Sequence, residues 1–211
     1  MPREVSTDIL DELAVPGRRV VFCDDTDLEG KPVASLEPDL RILIAVELDS
    51  GIYAAAAQQM ADYLAVLGMP EFHATEIANP GSKSTWRAID PERRIEALTW
   101  LSDLLSDLGA KISFVRIPKW QFGELKAQAQ QLEPVNLGFK QGLRRVLLRC
   151  LFEELQQYAE PTLIVLDQEA PVAGPTVEHW PEGTFLVGGG PIVARSSDVA
   201  GLQLADLAVW S

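Results

Sequence analysis

Short apolar runs alternate along this chain with longer segments whose apolar residues recur at helical spacing. Four runs rich in β-branched residues predict strands, at 18–24, 40–48, 111–117 and 161–167. Helical spacing predicts helices at 52–67, 91–108, 138–158 and 201–210. Two further short strands, 184–187 and 192–194, are predicted to flank a hairpin turn at Gly188–Pro191. Alternating strands and helices predict an α/β fold with a central sheet.

At 211 residues and 47% hydrophobic content, the chain fits one large domain with a full core. We expect residues 1–18 to form an N-terminal extension and residues 19–211 to form the domain. No apolar run approaches the ~20 residues that span a membrane, and the first residues lack a secretory signal pattern. Cys23 and Cys150 lie in apolar sequence, which predicts buried free thiols rather than a disulfide. These features indicate a cytoplasmic protein without membrane contact.

The net charge of −13 limits how this chain could bind nucleic acid. Proteins that gain affinity from the phosphate backbone usually carry a basic surface. The 31 acidic residues either form a solvated surface or include several carboxylates that converge on cations. Composition alone does not choose between these readings, so the positions of the acids must decide.

Two acids end predicted strands. Asp24 follows the apolar run VVFC, and Asp167 closes PTLIVLD. Ligands of open α/β sheets bind beyond strand ends, which favours a functional role for both residues. Capping a turn is an equally good interpretation of either one.

Asp206 lies in an apolar context, because every residue from Leu202 to Trp210 is apolar except Gln203 and Asp206. These two residues are three positions apart and therefore share a helix face. A helix that is apolar on nearly all sides is buried. An unpaired buried carboxylate costs several kcal/mol, so a metal, an arginine or hydrogen bonds must compensate Asp206.

Glu76 and His73 lie three residues apart in FHATEI, within a segment, 71–85, that is otherwise predicted to be irregular. If FHATEI is helical, both side chains project together as ligands or proton carriers; a structural histidine is the alternative. With Asp24, Asp167 and Asp206, Glu76 could hold two Mg²⁺ or Mn²⁺ ions about 3.5–4 Å apart, the arrangement that hydrolyses phosphodiesters. Oxygen ligands favour these ions over Zn²⁺.

Four motifs, in this order, resemble the signatures of the RNase H-like proteins known as domain of unknown function 3800. They are the strand-end acids in VVFCDDTD, the FHATEI segment, the strand LIVLDQ and the closing RSSDVAGLQLADLA. The resemblance implies an RNase H-like fold, with a central mixed sheet flanked by helices. It also implies a metal-dependent nuclease linked to mobile elements or to defence against them.

The same resemblance assigns roles to individual residues. The implied metal ligands and catalytic residues are Asp24, Glu76, Asp167 and Asp206, and the residues implied to contact them or the substrate are Asp25, His73, Ser197 and Gln203. The turn after the first strand departs from the family, since Asp-Asp-Thr-Asp replaces Asp-Glu-Ser-Gly. The strand 111–117 also intervenes in the sequence, so a single site requires the Asp167 strand to lie beside the Asp24 strand.

A nucleic-acid substrate, DNA or RNA, calls for cations near the site. Four basic residues on the predicted helix 138–158 could contact backbone phosphates: Lys140, Arg144, Arg145 and Arg149. A solvated helix face paired with neighbouring acids is the alternative interpretation.

Two other functions fit parts of the same sequence. One is a catalytically inactive RNase H-like module that binds a protein or nucleic-acid partner. The other is a phosphatase, because Asp25-Thr26-Asp27 loosely resembles the Asp-x-Asp motif of haloacid-dehalogenase-like enzymes. Leu28 and Glu29 stand where that motif continues with Gly-Thr, which argues against the phosphatase.

Overall fold

The structure is a computed structural model. It describes residues 3–4, 11–25, 40–121, 123–124, 127, 139–155, 160–168, 176–177 and 185–210. Asp27 of the phosphatase-like motif lies outside these ranges, and so does the side chain of Lys140.

The strands are β1 (Arg3–Glu4), β2 (Arg19–Asp25), β3 (Leu40–Asp49), β4 (Lys111–Pro118), β5 (Thr162–Asp167), β6 (Thr176–Val177) and β7 (Ile192–Ala194). The helices are α1 (Ser50–Leu67), α2 (Ala74–Ala78), α3 (Pro91–Asp107), α4 (Phe139–Leu155) and α5 (Ala200–Trp210). Short 3-10 turns lie at Glu12–Ala14, Thr85–Ala88, Lys119–Gln121 and Val187–Gly189. The longer strands and helices predicted from the sequence are therefore all found.

The described strands form one mixed sheet in the order β1-β6-β7-β5-β2-β3-β4. Strands β2, β3 and β4 form an antiparallel meander, and β5 pairs with β2 in parallel. On the far side of β5, β7 is again parallel. The prediction of an α/β fold with a central mixed sheet is confirmed. The strand that carries Asp167 lies beside the strand that carries Asp24, as a shared site requires.

Helices cover both faces of the sheet, because alternate residues of β2 point into two different cores. Val20 and Phe22 belong to a core shared with α1, α3 and α5. Val21 and Cys23 belong to the opposite core, which is shared with α4. A strand buried on both faces requires apolar residues at consecutive positions, which explains the continuous apolar run in β2.

Gly201 brings α5 into direct contact with β2. A β-carbon at residue 201 would lie 2.4 Å from ring atoms of Phe22. The Phe22 ring also packs on Tyr53, with ring centroids 4.7 Å apart. The backbone N–H groups of Gly201 and Ala200, where α5 begins, face the Tyr53 hydroxyl and lower its pKa, against the larger rise that burial causes. These contacts fix the start of α5 over the sheet.

The described part of residues 1–18 packs on the core and on the sheet of the domain. Leu13 is buried in the core formed with α1, α3 and α5, and Arg18 pairs with Glu12. Strand β1 pairs with β6 at the edge of the sheet. Within the described residues, no helix combines the length and apolar character that crossing a membrane requires.

The predicted hairpin at Gly188–Pro191 is wrong. Strand β7 pairs with β5 on one edge and with β6 on the other, so it has no free edge for the predicted strand 184–187. Leu186 instead forms an isolated parallel bridge with Thr162. The segment before β7 carries Gly188 and Gly189 at left-handed φ angles of 78° and 79°. Glycine tolerates this conformation without steric cost, which is why the run of glycines also resembled a hairpin turn.

Two smaller predictions are also corrected. Cys23 is buried and free as expected, but Cys150 is exposed, because it lies on the face of α4 opposite its buried leucines. The segment 71–85 is more ordered than predicted, since it contains α2 and the start of the 3-10 turn Thr85–Ala88.

Candidate active site

Asp24 and Asp167 lie side by side where β2 and β5 end. Cys23 pairs with Leu166 in the parallel register, so the next residue of each strand reaches the same edge of the sheet. Because side chains alternate between faces, Asp24 points to the same face as Phe22, which is the face that α5 covers. Both carboxylates are partly buried.

Asp206 reaches this edge of the sheet from α5. Its Oδ2 accepts a hydrogen bond from the backbone N–H of Ala74 at 2.6 Å. The Nδ1 of His73 lies 3.6 Å from the same oxygen. The Asp206 side chain is only 21% exposed, so these two groups supply part of the compensation that a buried carboxylate needs.

The three carboxylates share one electrostatic environment. Burial, together with the negative charges of Asp206 and Asp167, raises the pKa of Asp24 to about 8. Burial also raises the pKa of Asp206, where the nearby His73 opposes the shift and Glu76 adds to it. Residues from two strands and a distant helix therefore repel one another at a single place.

The negative charge of Asp167 is offset by more neighbouring groups than that of Asp24 or Asp206. Burial raises its pKa, and the charge of Asp206 adds to that effect. A hydrogen bond from the backbone N–H of Gln168 at 2.9 Å and the positive charge of Arg144 act in the opposite direction. The guanidinium of Arg144 also donates to the backbone carbonyl of Asp167 at 2.6 Å.

His73 and Glu76 both interact electrostatically with Asp206. His73 precedes α2 as its N-terminal cap residue, and Glu76 lies in the first turn. The hydroxyl of Ser84 donates a hydrogen bond to Glu76 Oε2 at 2.6 Å. The His73 side chain is 45% exposed, so it can reach both Asp206 and solvent.

Gln203, one turn before Asp206, ties α5 to the same segment. Its Oε1 accepts from the backbone N–H of Phe72 at 2.9 Å, and its Nε2 donates to the carbonyl of Ser196 at 2.8 Å. The two polar side chains of this apolar helix therefore bind backbone amides two residues apart. Gln203 is buried, which makes it a positioning residue rather than a group that faces a substrate.

Ser196 supports the site in addition to the predicted Ser197. Ser196 donates from its hydroxyl to Glu71 Oε2 at 2.9 Å, and its backbone N–H lowers the pKa of Asp167. Ser197 is exposed and bonds only weakly to its neighbour Asp198, at 3.3 Å. Ser84 was not predicted either, because nothing in the sequence links it to Glu76.

Asp25 takes part through its backbone. Its N–H donates to Asp24 Oδ1 at 2.8 Å, and its side chain is partly buried. This contact orients the Asp24 carboxyl group.

The four basic residues predicted for phosphate contact do not act alike. Arg144 supports Asp167, as described above, and Arg145 is partly buried. Arg149 lies 3.6 Å from Glu153 one turn later, which fits the alternative of a paired helix face. The helix α4 therefore brings one of them, Arg144, to the carboxylates.

In the described part of the chain, no three side chains of the His, Cys, Asp or Glu type are arranged closely enough to bind a metal ion together. Asp24, Asp167 and Asp206 are near enough to repel one another, but their side chains are not close enough to bind one ion together. Comparisons with known proteins found no matching family model, no similar curated protein and no similar solved structure. The resemblance to the RNase H-like family accordingly rests on the sequence motifs.

Proposed function

We propose that this chain is a divalent-metal-dependent nuclease with an RNase H-like fold. One observation carries the proposal. Asp24, Asp167 and Asp206 come from distant parts of the chain, yet they meet where β2 and β5 end, and their mutual repulsion helps to raise the pKa of Asp24 to about 8. A protein gains nothing in stability from such crowding, whereas a bound cation would relieve it.

The sheet supports the fold part of the proposal. An antiparallel meander extended by two parallel strands is the strand arrangement of RNase H-like folds, and β4-β3-β2-β5-β7 has that order and those directions. The site also lies beyond the carboxyl ends of parallel strands, where α/β proteins bind their ligands.

The donor atoms fit Mg²⁺ or Mn²⁺. All three central side chains offer carboxylate oxygens, which these ions prefer over softer ligands. Mg²⁺ keeps several waters and usually takes only one or two protein carboxylates, with substrate phosphates completing its shell. A cluster of three converging side chains is therefore not required, and Asp24 with Asp167 would suffice as direct ligands.

When bound, such an ion would activate water and stabilise the oxygen that leaves phosphorus. The chain's own groups would orient and support this chemistry. Asp206 holds the His73 segment through Ala74, and Ser84 fixes one oxygen of Glu76. His73, close to Asp206 and open to solvent, is placed to carry a proton into or out of the site.

A catalytically inactive module of the same fold, which binds a protein or nucleic-acid partner, is the second candidate. It is favoured by the absence, among the described side chains, of three donors arranged around one point. Cleavage assays separate the two candidates directly.

Labelled DNA and RNA strands, single and duplex, should be cut in Mg²⁺ or Mn²⁺ and left intact in EDTA. The variants Asp167→Asn and Asp206→Asn should each lower the cleavage rate by about 10²–10³-fold, the usual cost of losing a group that stabilises transition-state charge. Both should keep or raise the metal-free free energy of unfolding, because each removes repulsion.

Asp62→Asn is the matched control, since Asp62 is exposed on α1 and accepts a hydrogen bond from Gln58 one turn away. It changes the same charge far from the site and should cut normally. Full activity in both Asp167→Asn and Asp206→Asn would refute the carboxylate site, and cleavage that survives EDTA would refute metal dependence.

A further inference from the structure

The segment that follows α2 is anchored to the candidate active site at two points. Ser84 donates to Glu76, and the indole N–H of Trp86 donates to the carbonyl of Glu71 at 3.2 Å. The Trp86 ring is buried, with its centroid 6.1 Å from that of Phe72. The backbone N–H of Arg87 also bonds to the carbonyl of Ser84, so the whole turn is held in place.

This anchored turn presents two cations to solvent. Lys83 precedes Ser84 and Arg87 follows Trp86, and both side chains are exposed. In the described part of the chain, neither side chain has an ion pair or hydrogen bond. Glu76 is nearby, because Ser84, the residue after Lys83, donates a hydrogen bond to it. The net charge of the chain is −13, yet Lys83 and Arg87 place two positive charges next to the segment that carries Glu76.

We propose that Lys83 and Arg87 form a cationic rim that binds the phosphate backbone of a nucleic-acid strand as it enters the carboxylate site. The proposal rests on the proposed function and names the surface that its substrate would use. A phosphodiester that approaches three carboxylates is repelled by them, and fixed cations at the edge of the site offset that repulsion. Phosphate contacts of this kind position a strand without reading its sequence.

The rim and Arg144 adjoin different carboxylates. Arg144 is bonded to the backbone of Asp167, whereas the rim flanks Ser84, which is bonded to Glu76. A nucleic-acid strand held by the rim would therefore place its phosphates beside Glu76 and Asp206 before it reaches the ends of β2 and β5. Lys83 and Arg87 were not among the cations predicted from the sequence, because they lie outside any regular basic pattern.

Binding can be measured without catalysis. Fluorescence anisotropy of a short labelled single strand, as DNA and as RNA, would be recorded in EDTA at several KCl concentrations. The slope of log Kd against log [KCl] should fall by about 0.7 for each phosphate contact that is lost from a single strand. We expect that loss in Lys83→Gln and in Arg87→Gln, with roughly twice the change in the double variant.

Charge-preserving changes supply one control, since Lys83→Arg and Arg87→Lys should keep the slope of the unchanged protein. Lys111→Gln supplies a second control. It removes an exposed cation at the opposite end of the sheet, beside Glu47, and should leave the slope unchanged. An equal change of slope in Lys111→Gln would show that only the net charge of the protein matters, and that result would contradict the proposed rim.

The rim is also overturned if the glutamine variants bind with an unaltered slope, or if the unchanged protein binds neither strand. A different result would contradict the proposed nuclease activity. Binding that depends on Lys83 and Arg87, with no cleavage in Mg²⁺ or Mn²⁺, would refute the enzyme and leave the rim in place as the surface of a binding module.

Discussion

Folding alters the protonation state of Asp24. Its pKa in the folded chain is about 8, whereas an aspartate in an unfolded chain has a pKa of about 4. Without a cation, the folded protein therefore holds a proton on Asp24 at neutral pH. A divalent ion that binds there must displace that proton, so its affinity should increase as the pH rises.

This shift predicts how metal-free stability depends on pH. Between about pH 4 and about pH 8 the folded chain binds more protons at Asp24 than the unfolded chain does. The free energy of unfolding should therefore fall as the pH rises through this window, by at most ~1.4 kcal/mol per pH unit from this residue. Asp24→Asn cannot titrate and should lose that contribution.

Urea unfolding in EDTA at a series of pH values measures the effect. The curve of Asp24→Asn should diverge upward from that of the unchanged protein as the pH rises, because only the latter pays the growing cost of ionisation. Asp62→Asn serves again as the exposed control. Parallel curves for Asp24→Asn and the unchanged protein would mean that the Asp24 carboxyl group is not perturbed.

At the residue scale, the sequence identified the buried acids but not their partners. Asp206 could be predicted because a carboxylate in an otherwise apolar, buried helix loses its hydration and needs a partner group. The support from Ser84 and Ser196 could not be predicted, because each contact joins segments whose approach depends on the whole fold. The contact between Ser196 and Glu71 depends on the direction of side chains in the turn, which the local sequence does not encode.

At the scale of elements, the contact between α5 and β2 controls where Asp206 lies. Gly201 has no side chain, and the Phe22 ring occupies the space that a β-carbon would need. Gly201→Ala gains up to about 1 kcal/mol in helix propensity but incurs an overpacking cost of about 1–3 kcal/mol. Overpacking should win, because Tyr53 holds the ring from the other side.

We therefore expect Gly201→Ala to lower the free energy of unfolding by about 1–2 kcal/mol and to reduce cleavage by more than this loss explains, because α5 moves away from the strand ends. Thermal unfolding and single-turnover cleavage measure the two effects. Adding Phe22→Leu, which removes the ring, should restore part of the activity. Unchanged stability and activity in Gly201→Ala would contradict the role assigned to this contact.

The elements themselves were largely predictable, since periodicity and turn residues report local preferences. Their pairing was less so. The hairpin assigned to Gly188–Pro191 failed because a glycine run is compatible with several turns, and only the partner of β7 distinguishes them. The adjacency of β2 and β5 was likewise a requirement of the predicted site, not a consequence of local sequence.

At the scale of the whole molecule, the charge of −13 makes stability sensitive to ions of every kind. Monovalent salt screens repulsion between acids, with a Debye length of about 10 Å at 0.1 M. A specific site adds a further effect, since an ion bound only by the folded chain stabilises it by about 2.7 kcal/mol at a hundred times its Kd.

Mg²⁺ or Mn²⁺ should therefore raise the melting temperature above the value reached in KCl of equal ionic strength. The excess should disappear in the double variant Asp24→Asn/Asp167→Asn and persist in Asp62→Asn. Differential scanning fluorimetry across matched salt series measures it. Identical melting curves in the two salts would indicate that the acids are screened by the ionic atmosphere without binding an ion.

The order in which the chain is synthesised has a bearing on Asp206. A ribosome that has passed Asp167 has already made both strand-end acids, but the helix that supplies the third carboxylate and holds the FHATEI segment does not yet exist. Under the proposed function, such a nascent chain should cleave nucleic acid no faster than the Asp206→Asn variant does. Full activity should develop only after α5 has been made and has packed on the sheet.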